Sequence, residues 1–118
     1  MAINSYAQLG PYIDSILSAN GDLPIGPPHK NFWTLTYQEF TTGNVPNVVD
    51  PITHQPMKIL VVGNSSASNL IQALEGKAGS LFDPNNPNGI GQMPRFGTPW
   101  TATQIKPIAD WIDANCPQ

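Results

Sequence analysis

The chain has 118 residues, a formal charge of −3 and only 11% charged side chains, where about 25% is usual for soluble domains. Its five basic residues (Lys30, Lys58, Lys77, Arg95 and Lys106) are dispersed, which argues against a nucleic-acid face or an anionic-membrane patch. No apolar run approaches the roughly 20 residues of a transmembrane helix.

That length predicts a single domain over residues 1–118 with one modest core. The polar surface must come largely from Asn, Gln, Ser and Thr. Such a neutral exterior predicts export, with a leader absent from this sequence, because the first twenty residues lack a basic stretch followed by an apolar one. Cytoplasmic residence is the alternative. One cysteine, Cys116, forms no internal disulfide.

Thirteen prolines and ten glycines divide the chain into short elements. Gly10-Pro11 predicts a helix start, with Ser5–Leu9 available for an earlier turn. Tyr12, Ile13, Ile16 and Leu17 then share one face, up to a stop near Asn20-Gly21. The three prolines of Gly21–Lys30 forbid helix and central strand. Thr36 and Glu39 match a capping box, which predicts a short helix ending at a left-handed Gly43. Asn44–Pro56 reads as loop. Met57–Val62 reads as strand or extended chain.

Gly63-Asn64-Ser65-Ser66 is turn chemistry leading to a cap. A helix over Asn69–Glu75 follows, with Gly76 as its stop. Lys77–Pro99 has the length of a binding loop or Ω-loop. Thr101 and Gln104 form a second capping box before a helix whose buried stripe is Ile105, Ile108, Ala109 and Ile112, flanked by Trp111. Pro107 threatens its first turns and Pro117 prevents continuation. The predicted class is all-α: a small bundle of three to five short helices with long ordered loops rich in Pro, Gly and Asn.

Gly63–Ile71, the Gly91-Gln92-Met93-Pro94 loop and the helix from Thr101 to Ile112 together resemble, in order and spacing, the back half of class I c-type cytochrome domains. The resemblance implies that Met93 stands where that family places an axial haem ligand. It also implies Cys-x-x-Cys-His after the first helix. Here Gly21 and Pro24 stand where the thiols are expected, and Ile25 where the histidine is expected. What the resemblance then implies is a cytochrome c-like scaffold without covalent haem. Leu23, Ile25, Phe32, Trp33, Phe40 and Trp100 would fill the haem's volume, because an empty cavity costs roughly 24 cal/mol per Å3.

No catalytic constellation emerges. Ser65, Ser66 and Ser68 lack a nucleophile elbow. Asp110 and Asp113 lie one turn apart near a helix C-terminus, and no carboxylate pair sits in an apolar setting. Cys116 reads as a buried apolar plug. Asp83 and the Asn85-Asn86-Pro87-Asn88 amides read as turn formers rather than a calcium loop. His54-Gln55-Pro56-Met57 offers two copper-type ligands without a third. The expected function is a non-enzymatic binding or interaction module with no cofactor. It would recognise a protein or carbohydrate ligand through the loops Gly21–Lys30, Asn44–Pro56 and Asp83–Pro99. The alternative is electron transfer through noncovalent haem or another metal, with Met93 and either His29 or His54 as ligands. A third reading is a small hydrolase or isomerase.

Overall fold

The computed structural model describes residues 2–21, 32–93 and 98–118. Among these the chain forms helix α1 (Tyr6–Ala19), α2 (Tyr37–Thr42), strand β1 (Asn44–Val49), β2 (Pro56–Lys58), α3 (Asn69–Glu75) and α4 (Ala102–Asp113). Short 3-10 turns occupy Phe32–Thr34 and Ser65–Ala67. The all-α expectation is therefore overturned: a small antiparallel sheet stands beside the helices, and the fold is mixed α/β.

β1 arises in the segment whose prolines read as loop, while β2 covers the start of the run that reads as strand or extended chain. Val45 and Val48 of β1 are half-buried, and Met57 at the centre of β2 is buried between exposed neighbours. Pairing runs from Asn44 opposite Lys58 to Val49 opposite Pro56, with an irregular register between. Pro46 has no N–H to give a ladder, and an irregular two-stranded edge is where a strand tolerates it. The hairpin exists because two distant segments share apolar partners, which Asn44–Pro56 alone does not reveal.

Two expected boundaries also move. Gly10-Pro11 is not the start of α1, which begins a turn earlier at Tyr6 with Pro11 inside it. There the main-chain N–H of Asn4 donates to Gln8 Oε1 at 2.7 Å, a side-chain tie across the first turn. Gly43 ends α2 in an extended conformation, φ −92° and ψ −170°, not a left-handed one. Glycine is required by space: a Cβ there would lie 2.2 Å from the Glu39 carbonyl oxygen.

The capping chemistry holds. Thr36 and Glu39 form the box at α2, and Thr101 and Gln104 the box at α4. Gly76 ends α3 in the left-handed region, φ 60°. Pro107 lies inside α4 without stopping it.

The main core joins all four helices. It contains Leu9, Tyr12, Ile13 and Leu17 of α1, Phe40 of α2, Leu70, Ile71 and Leu74 of α3, and Ile105, Ile108, Trp111 and Ile112 of α4. Trp111 is central rather than flanking: its indole is buried and its Nε1–H donates to the Pro117 carbonyl at 2.9 Å. Tyr6 and Phe40 stand beside it, at 6.2 and 6.3 Å between ring centroids, and Tyr37 packs edge-on against Tyr6 at 5.6 Å. Of the residues assigned to fill a haem's volume, Trp33, Phe40 and Trp100 are buried here. Leu23, Ile25 and the Phe32 side chain lie outside the described residues.

Candidate functional site

Two of the three loops assigned to recognition meet at a second, smaller apolar cluster. Met57, Ala73 and Phe82 form its buried centre, with Val48, Leu81, Ile90 and Met93 packed against it. The hairpin, α3 and the Lys77–Met93 loop thus build one lobe. The third loop, Gly21–Lys30, lies outside the described residues beyond Gly21.

The hairpin tip is held by one carboxylate. Asp50 Oδ1 accepts from the N–H groups of Ile52 and Thr53 at 2.7 and 3.1 Å. The Asp50 N–H donates to Gln55 O, and the His54 N–H to Asp50 O, each at 2.8 Å. His54 supplies the left-handed residue of the turn, φ 60°. This Asx turn fixes the backbone while leaving apolar side chains outward: Val49 is 51% exposed and Ile52 65%.

The Lys77–Met93 loop is built from turns repeating every three residues. N–H groups of Ser80, Asp83, Asn86 and Gly89 donate to carbonyls of Lys77, Ser80, Asp83 and Asn86. Asp83 also accepts from the N–H groups of Gly79 and Asn85, 2.9 and 2.8 Å, which lower its pKa in that order. The Leu81 carbonyl closes the loop by accepting from Ile90 and Gly91. The amide-rich run is therefore turn structure. Among the described residues, no three of His, Cys, Asp and Glu are grouped as metal ligands.

Met93 lies where this loop docks on α3. Its N–H donates to the Ala73 carbonyl at 2.8 Å, and Gln92 Nε2 donates to the Leu74 carbonyl at 3.1 Å. Gln92 and Met93 thus satisfy carbonyls that the last turn of α3 leaves open. The half-buried thioether packs in the second cluster, apart from the aromatic core around Trp111. His29 lies outside the described residues. His54 is exposed at the hairpin tip while Met57 is buried below it, so that pair is divided. Among the described residues, the neighbours of Met93 in this cluster are apolar.

The remaining candidates make local contacts that tie elements together. Asn64 caps the 3-10 turn by accepting from the Ala67 N–H. Ser65 donates its N–H and hydroxyl to Asp113 at 2.8 and 2.9 Å. Buried Ser68 accepts from the Val61 N–H and donates to the Asn64 carbonyl. Asp110 pairs with Lys106 at 2.9 Å on the exposed side of α4. Cys116 is fully buried, and burial pushes its thiol up to about 11, opposed by the Gly63 N–H. A thiol so raised is a poor nucleophile at neutral pH.

Sequence reasoning missed the apolar hairpin tip. The signal was present in the Asp50-Pro51 turn between Val48-Val49 and Met57. No helix of the described residues is long and apolar enough to cross a membrane. The chain matches no family model, no curated protein and no solved structure.

Proposed function

We propose that this chain is a non-enzymatic interaction module whose recognition surface is the lobe formed by the β1–β2 hairpin and the Lys77–Met93 loop. The observation that carries this reading is the outward exposure of Val49 and Ile52 on a tip whose backbone Asp50 holds fixed. A preorganised apolar tip binds with little ordering cost. Its aliphatic character favours a protein partner over a carbohydrate, for which stacking aromatic rings and polar groups serve better.

The test compares immobilised wild type with a Val49→Thr/Ile52→Asp variant against extract of the source cells. A protein retained by wild type is identified, purified and measured by calorimetry against both forms. Binding at least about tenfold weaker in the variant is expected, since burying a side chain of this size contributes about 1.5–3 kcal/mol. Equal affinity for both forms refutes the reading.

A further inference from the structure

A groove of about 250 Å3 runs between the outer face of α1 and the segment Trp33–Leu35, and none of its lining belongs to the hairpin or the Lys77–Met93 loop. One wall is Tyr6, Ala7, Gly10, Pro11 and Asp14, whose spacing places them on one helix face. The opposite wall is close to Gly10: a Cβ there would meet Trp33 in ordinary contact, 3.6 Å from its carbonyl oxygen and 3.7 Å from Cδ1.

Two side-chain donors of the groove are engaged within it. The Trp33 indole N–H is already given to Asp14 Oδ1 at 2.8 Å. The Tyr6 hydroxyl is given to the Leu35 carbonyl. Acceptors remain. Asp14 keeps its second carboxylate oxygen. Pro11 lies inside α1 and has no N–H, so the Ala7 carbonyl lacks the helical donor four residues on. Among the described residues, no Lys or Arg lines the groove. Glu39 adds negative charge nearby: the Tyr6 hydroxyl is raised above 10.0 by burial first and by Glu39 second.

We propose that this groove binds an organic cation through a guanidinium or primary ammonium head group. Such groups carry several donors and no acceptor, which complements a site with acceptors to spare. The volume lies below the roughly 300–1,000 Å3 of sites for drug-sized ligands, so it suits one head group with a short stem. The source is a free small amine or guanidine, or an arginine or lysine side chain of a partner.

Ethylguanidinium, butylammonium and a Gly-Arg-Gly peptide are titrated into the full chain while the Trp33 indole N–H resonance is followed. Neutral N-ethylurea is the control. Saturable shifts with the cations and none with N-ethylurea are expected. Tighter binding of the peptide than of ethylguanidinium identifies a partner side chain as the source; equal or weaker binding identifies a small free ligand. Asp14→Asn keeps an oxygen for the Trp33 N–H and removes the charge, and affinity falls about fivefold. Ala7→Leu fills the groove from an exposed helical position and abolishes saturation with the fold retained by circular dichroism. No saturable shift, an equal response to N-ethylurea, or affinity unchanged in both variants overturns the proposal. None of these results bears on the hairpin lobe, whose test uses different residues.

Discussion

Raising the pH should unfold this protein partly through one thiol. Cys116 is fully buried behind α4, in contact with the main core, and its pKa stands at about 11 against an ordinary 9.0. The folded state therefore holds the thiol proton more tightly than the unfolded state. Stability from this group is fully present below about pH 9 and is lost as pH rises towards 11. Each pKa unit is worth about 1.36 kcal/mol, so the whole difference is about 2.7 kcal/mol, with about 2 kcal/mol already lost by pH 10.5. Tyr6 and Tyr12 are also raised above 10.0, chiefly by burial, and they lower stability in the same direction at still higher pH. A Cys116→Ala variant keeps the tyrosines and removes the thiol. Urea unfolding of both proteins under reducing conditions, from pH 8 to 10.5, isolates the difference. Wild type is expected to lose about 2 kcal/mol more than the variant across that range. Two curves that stay parallel within about 0.5 kcal/mol would refute the argument, because a thiol that ionises freely in the native state contributes no pH slope.

Two further outcomes follow from the geometry. Met93→Leu conserves volume in the second cluster, and the main-chain bond from residue 93 to Ala73 is unaffected; thermal unfolding should show a change below about 1.5 kcal/mol, whereas a loss above about 3 kcal/mol would mean the thioether does more than pack. Gly43→Ala drives a methyl into the Glu39 carbonyl at the end of α2 and should lower the urea midpoint by the equivalent of about 1–3 kcal/mol, although φ at this position suits any residue; an unchanged midpoint would show that the helix end shifts freely.

The helices were legible where their signals are local. Thr36 with Glu39, and Thr101 with Gln104, each complete a hydrogen-bonded box within four residues, so the sequence carries the whole interaction. Gly76 likewise marks the end of α3 by its own conformation. Pro11 misled because proline favours a first turn, yet α1 accommodates it internally at the loss of one hydrogen bond. Of the hairpin, only the start of β2 within Met57–Val62 was legible; β1 and the pairing were not. Its prolines and asparagines favour loop, and its strands form only because Val48 and Met57 find Ala73, Phe82 and Met93.

The candidate site divides in the same way. Sequence identified the segments Asn44–Pro56 and Asp83–Pro99, since long Pro- and Asn-rich stretches need turns and seldom pack as regular elements. It did not show that the two share a cluster, that Gln92 and Met93 complete the end of α3, or that Val49 and Ile52 face outward. By itself, then, the sequence determined caps, stops and the apolar stripe of α4, because those depend on partners three or four residues away. Tertiary structure alone decided the sheet, the central burial of Trp111 and the place of Met93. Each of these depends on which distant segments exclude water together, and burial is a property of the assembled surfaces rather than of any one stretch of chain.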